Sequence, residues 1–146
     1  MPQESILIAV QMLCSWPDSS DEELIHKLVG AGMERGHATR LILFIPCVYA
    51  RLILKSLGVQ FSEKFVRSYG GGRFSKERTL ASETVWLEVS EFAHINISAL
   101  SSQERMLVAG RSPEFGVINQ ALNSGANASD MVLSHLVVFW PEEQPR

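Results

Sequence analysis

The longest periodic segment of the chain, residues 35–57, most constrains what it can fold into. Its apolar side chains recur at the three- and four-residue spacing of a helix, and Gly58 is a natural stop. Pro46 lies in the middle and removes one backbone donor, which predicts either a kinked helix or a junction of two helices. Such a helix needs neighbours to cover it, and the spacing predicts core positions at Ile42, Ile45, Leu52 and Ile53.

Serine caps, glycine stops and helical spacing recur along the rest of the chain. The patterns predict a compact, mainly-α, single-domain bundle of six to seven helices over residues 1–140, with a frayed tail at 141–146. A short strand or hairpin within 59–97 stays open, because Val85, Leu87 and Val89 also alternate. The predicted helices lie near 4–14, 21–31, 36–57, 76–94, 101–109, 113–123 and 129–139.

The composition is that of an ordinary soluble protein, with 46% hydrophobic and 20% charged residues. No apolar run approaches the roughly 20 residues of a spanning helix. The first residues carry Glu4 where a secretory signal would carry basic residues, so we expect a cytoplasmic protein. Cys14 and Cys47 lie in apolar runs and are expected to be buried free thiols.

Charge is unevenly placed along the chain. The formal charge is −4 over residues 1–30, +6 over residues 31–80 and −5 over residues 81–146, for a net −3. Helical spacing puts Arg40, Arg51 and Lys55 on one face of the long helix, with Phe44 between them. That face is predicted to be either a solvated surface or a site for a partner.

The stretch Gly70–Gly72 belongs to the same basic third of the chain. Its spacing matches neither a P-loop nor a dinucleotide fingerprint, so the glycines predict a mobile loop at 69–75 between helices. An anion-binding nest of backbone N–H groups is a weaker alternative. Together with the helix face, the predicted partner-binding residues are Arg40, Phe44, Arg51, Lys55, Tyr69, Arg73, Phe74, Lys76 and Arg78.

Signatures of chemistry are sparse. The four histidines have no ligand spacing, no G-x-S-x-G elbow is present, and neither cysteine has a partner motif. We therefore predict no metal, no cofactor and no catalytic residue, and a hydrolytic enzyme is the least favoured hypothesis. The tryptophans are expected in the core or at its rim. Trp140 is the exception, because it is expected either to complete the core or to be exposed as an anchor for another chain.

Two functional hypotheses from different classes remain. The favoured one is a small, non-catalytic cytoplasmic interaction protein, an adaptor or inhibitor, that binds another protein through its segregated charges. An immunity protein that neutralises a toxin is one concrete form, by analogy only. The alternative is anion or nucleic-acid binding through the basic block 31–80. The sequence pI of about 5.8 and the lack of a nucleic-acid-binding motif oppose it.

Overall fold

The computed structural model describes residues 2–61, 76–124 and 132–133, and these form a mainly-α domain. Six α-helices account for most of the described chain, with one 3₁₀ turn at Ile97–Ala99 and two very short strands. The helices are α1 (Pro2–Ser15), α2 (Asp21–Gly30), α3 (Arg35–Ser56), α4 (Lys76–Ile95), α5 (Ser102–Ala109) and α6 (Phe115–Ser124), and the strands are β1 (Gln60–Phe61) and β2 (Val132–Leu133).

Capping side chains explain where two of the helices begin. Ser20 accepts a hydrogen bond from the backbone N–H of Glu23, and the Glu23 carboxylate accepts one from the backbone N–H of Ser20. Ser101 and Glu104 repeat this capping box at the start of α5. Each box pairs two N–H groups that a helix start otherwise leaves without partners.

The predicted glycine stop at Gly58 is confirmed, and of the two glycines that could end the second helix, Gly30 and Gly32, Gly32 has the left-handed backbone. Gly32 follows α2 with φ of 103°, and Gly58 follows α3 with φ of 87°. A side chain at either position would be strained, because L residues rarely adopt this left-handed backbone.

Helix α3 is the centre of the bundle. It packs against α1, α2, α4, α5 and α6, and it runs through Pro46 as one helix. Ile42 and Ile45 are fully buried, as predicted. Leu52 and Ile53 pack against the core but are only partly buried, so the prediction that they are buried overstates their burial. A helix that is surrounded on most sides has no single apolar stripe. The spacing of apolar residues along one face therefore does not identify which of its residues are fully buried.

The short strands settle two open questions. β1 and β2 pair in parallel, with Gln60 opposite Val132 and Phe61 opposite Leu133, so the open strand hypothesis is confirmed at 60–61. Residues 83–95 belong to α4, which rules out a strand there.

The predicted helix over 129–139 is wrong at 132–133, because parallel pairing with a distant segment overrode the local pattern. Its other residues lie outside the described ranges, as do loop 69–75 and Trp140.

Length and composition also allow α3 to be compared with a membrane span. Among the described residues it is the one helix long and apolar enough to cross a membrane, and it lies near the N-terminus. The core helix of a soluble protein and a signal sequence also meet this criterion of length and apolar composition. In this structure, 61% of its most apolar 18-residue window is buried inside the bundle.

Candidate functional site

The residues of the predicted partner face of α3 differ in burial: some are accessible and others lie in the core. Lys55 is exposed and Arg40 is half-buried. Phe44 and Arg51 are buried in the core, so a surface stripe that includes them is wrong. The surrounding helices bury this face because α3 is central. Tyr69, Arg73 and Phe74 lie outside the described residues, and Lys76 and Arg78 lie in the first turn of α4, where only the backbone is described.

Arg51 is the most unusual of these buried residues, with only 2% of its surface exposed. Its guanidinium lies 4.2 Å from the centre of the Trp86 ring on α4. One Nη2 atom is 3.6 Å from Oε1 of Glu114, just before α6. Phe44 meets the same Trp86 ring edge-on, with 5.5 Å between ring centres. The cation therefore packs between an aromatic face and a carboxylate, and it ties α3 to α4 and to the start of α6.

Cys47 and Ser112 complete this interior cluster. The Ser112 hydroxyl lies 3.7 Å from Cys47 Sγ and 3.2 Å from Glu114 Oε2, and it accepts a 3.0 Å hydrogen bond from the Glu114 backbone N–H. Burial raises the pKa of Cys47 to about 12, and the nearby Glu114 adds to the rise. The thiol therefore stays protonated at neutral pH, and thiolate chemistry is disfavoured here.

The Glu114 carboxyl feels two opposing effects. Burial raises its pKa, and Arg51 together with the hydrogen bond from Ser112 partly offsets the rise. Desolvation is the larger effect, so the ionised carboxylate is held at a net cost. This interior cluster of Phe44, Cys47, Arg51, Trp86, Ser112 and Glu114 is best understood as a packing device of the fold.

A different arrangement occupies the surface between α1 and α2. Trp16, directly after α1, leaves 49% of its surface exposed. The loop of residues 16–20 then leads into α2, and its last residue, Ser20, belongs to the capping box of that helix. We call this loop, with Asp21 and Lys27 of α2 and with Arg111, the Trp16 corner.

Arg111 holds the loop of the Trp16 corner. Its Nη2 donates hydrogen bonds to the backbone carbonyl oxygens of Trp16 at 2.9 Å, Pro17 at 3.2 Å and Ser19 at 2.5 Å. Its Nη1 donates to Oδ1 of Asp21 at 2.9 Å. One guanidinium from the turn after α5 thus fixes a loop about 90 residues earlier in the chain, and the loop carbonyls supply the acceptors that a partly buried arginine needs.

One charged side chain lies over the exposed indole, and others form contacts at the starts of α2 and α3. Lys27 Nζ lies 4.4 Å from the centre of the Trp16 ring, a cation–π contact. Glu22 forms an ion pair with Arg35 at the start of α3. Hydrogen bonds from the backbone and side chain of Ser20 lower the pKa of Glu23. Trp16 is therefore a half-exposed apolar side chain on a loop held by hydrogen bonds, with Lys27 over its ring.

Sequence reasoning placed Trp16 in the core or at its rim and did not single out Arg111. The position of Trp16 between a helix end and Pro17 indicates a loop, but it does not reveal the exposed side. Arg111 contacts the loop only through the fold, and nothing in the local pattern links two segments so far apart. The sequence signal for this site is therefore partial.

Comparison of the chain with known protein families, characterised proteins and solved structures finds no match. Within the described residues, no group of three or more His, Cys, Asp or Glu side chains could hold a metal ion. The contacts of the Trp16 corner and of the interior cluster are thus the basis for a functional proposal.

Proposed function

We propose that the protein is a small cytoplasmic interaction protein without turnover of its own, an adaptor or inhibitor that binds another protein through the Trp16 corner. The observation that carries the proposal is the half-exposed Trp16 on a loop that accepts three hydrogen bonds from Arg111, which donates a fourth to Asp21 of α2. An immunity protein that covers a toxin is one form of such an inhibitor, by analogy of size and charge.

Tryptophan is enriched among the few residues that dominate protein–protein affinity, where it fills a pocket of the partner and loses its water. The loop that presents Trp16 is already ordered by Arg111, which lowers the entropy lost on binding. An aromatic anchor on a pre-organised loop therefore needs few further contacts to bind tightly.

Charge suggests the chemistry of the partner. Residues 1–30 carry a formal charge of −4, and Asp18 in the loop is exposed. A partner with an apolar pocket ringed by basic side chains would complement this surface and would associate faster at low salt. The basic residues of 31–80 remain a predicted second contact, led by the exposed Lys55 and by Arg73, Lys76 and Arg78.

The two free cysteines are partly buried rather than buried as predicted, and they support a role without covalent catalysis. The pKa of Cys47 is raised to about 12, and burial also raises the pKa of Cys14, with Glu104 adding to that rise. A thiol nucleophile reacts as the thiolate, so both groups are poorly suited to attack a substrate at neutral pH.

The test is a comparative capture from native cell extract, quantified by mass spectrometry. The baits are the wild-type chain, Trp16→Ala and the control Leu87→Ala, which removes another exposed apolar side chain on α4. We expect a protein that wild type and the control retain equally and that Trp16→Ala loses. For an aromatic hot spot, its dissociation constant should weaken by about 30-fold or more.

An identical set of captured proteins for Trp16→Ala and wild type would refute the Trp16 corner as the interface. If Arg73→Glu with Lys76→Glu abolishes capture instead, the interface lies in the basic third of the chain. Retention on heparin that falls steeply between about 50 and 200 mM salt would favour the nucleic-acid alternative over both.

A further inference from the structure

A pocket of about 340 Å³ opens between α1 and the segment that joins α4 to α5. This volume is at the lower end of the range of small-molecule sites. Its apolar walls come mainly from α1 and from the end of α4, and polar side chains lie among them. The lining includes Leu7, Val10, Tyr49, Asn96, Leu100 and Glu104.

Tyr49 of α3 is the buried polar group of this pocket. Only 1% of its surface is exposed, and it belongs to the lining of the pocket. Native proteins usually satisfy the polar groups of a buried site with protein, water or a ligand. The Tyr49 hydroxyl is therefore a hydrogen-bonding group of the lining that a ligand can use.

Two further side chains of the lining offer acceptor oxygens. The Asn96 amide nitrogen donates to the Phe92 carbonyl oxygen at 3.0 Å, which leaves its Oδ1 available as an acceptor. Glu104 contributes a carboxylate, and one of its oxygens accepts from the backbone N–H of Ser101 at 2.9 Å. Among the described residues that line the pocket, Glu104 alone carries a formal charge.

We propose that this pocket binds a small organic ammonium ion with an apolar body. An ammonium group has three donors and no acceptor, which matches the Tyr49 hydroxyl, Asn96 Oδ1 and the Glu104 carboxylate. The apolar body packs against Leu7, Val10 and Leu100 of the lining. This site is independent of the Trp16 corner, and its failure would leave the interaction proposal intact.

One positive charge lies close enough to compete. Arg105 follows Glu104 on α5 and opposes the rise in the pKa of Tyr49 that burial causes. It does not belong to the described lining. If its charge outweighed that of Glu104, the pocket would prefer an anion, so the test includes an anionic ligand of the same length.

The first experiment titrates the purified full chain at pH 7 with n-hexylamine, 1-hexanol and hexanoate by isothermal calorimetry. These probes share an alkyl chain and differ in the charge of the head group. We expect hexylamine to bind about tenfold more tightly than hexanol and hexanoate to bind most weakly, since a charge-assisted hydrogen bond is the stronger kind. Equal or tighter binding of hexanol or hexanoate, or no binding of hexylamine, would overturn the proposal.

The second experiment uses a matched pair of variants. Glu104→Gln removes the charge and keeps the acceptor of the capping box, and Glu23→Gln makes the same change in the equivalent box of α2, away from the pocket. Glu104→Gln should weaken hexylamine binding about tenfold and leave hexanol binding unchanged, whereas Glu23→Gln should change neither. Tyr49→Phe should weaken both ligands about fivefold. Equal behaviour of the two glutamine variants would refute Glu104 as the recognising group.

Discussion

Two arginines organise two regions of this molecule in different ways. Arg111 at the Trp16 corner donates hydrogen bonds to three backbone carbonyls and to Asp21. Arg51 in the interior cluster packs on Trp86, with Glu114 at 3.6 Å. Arg111 orders a surface loop with its hydrogen bonds, whereas Arg51 is a charged side chain that packs inside the core. We infer that Arg111 supports binding and Arg51 supports the fold.

The largest expected effect is on the interior. Arg51→Ala leaves a cavity in the core and the Glu114 carboxyl without its cation, so we expect a loss of about 3–5 kcal/mol in the free energy of unfolding. Urea denaturation measures it. The control is Arg35→Ala, which breaks the exposed pair with Glu22 and should cost less than about 1 kcal/mol. Equal losses for the two variants would mean that burial of Arg51 contributes nothing.

A smaller effect is expected at the surface. Arg111→Ala removes four hydrogen bonds from one partly buried guanidinium, and we expect a loss of about 1.5–3 kcal/mol in urea denaturation. Amide hydrogen exchange should also quicken in residues 16–20, with little change in α3. If exchange in α3 quickens as much as in the loop, Arg111 belongs to the core and the two regions are not distinct.

The two capping boxes provide a still smaller comparison. Ser20→Ala and Ser101→Ala should each cost about 1 kcal/mol, because each removes the acceptor of one helix-start N–H group. Only Ser20→Ala should also weaken partner binding, since Ser20 ends the loop of the Trp16 corner. A stability loss at Ser101 alone would show that Arg111 already fixes the start of α2 without its cap.

The smallest expected effect is a change in the pH dependence of folding stability when Glu114 is replaced by glutamine. Burial raises the pKa of Glu114, so the folded protein binds this proton more tightly than the unfolded chain does. The resulting stability is complete below the unfolded pKa of about 4.3 and is lost as pH rises through the folded value. Glu114→Gln does not titrate, so its stability relative to wild type should increase from pH 4 to pH 7. A relative decrease would mean that the Arg51 ion pair outweighs burial.

Local pattern predicted most of this fold. Serine caps, glycine stops and helical spacing located the described helices to within a few residues, because these signals act between near neighbours in the chain. The Ser20 cap and the Gly58 stop are examples. The strand at Val132–Leu133 was missed because its partner lies at Gln60–Phe61, and pairing at that distance leaves no local periodicity.

The candidate sites were harder to predict for the same physical reason. Arg51 has the charge of a surface residue, and only the packing of Trp86 and Glu114 around α3 makes it a core residue. Arg111 and Trp16 meet through the tertiary fold alone. Helical spacing can say which residues share a face, but it cannot say which face a central helix buries.

The most direct test of the account is a double-mutant cycle on partner binding with Trp16→Ala and Arg111→Ala. The dissociation constant of the captured partner is measured for wild type, both single variants and the double variant. If Arg111 acts by holding Trp16 in place, both single variants weaken binding, and the double variant is no weaker than Trp16→Ala alone. Losses that add fully, or no loss for Arg111→Ala, would contradict the claim that Arg111 pre-organises Trp16 for a partner.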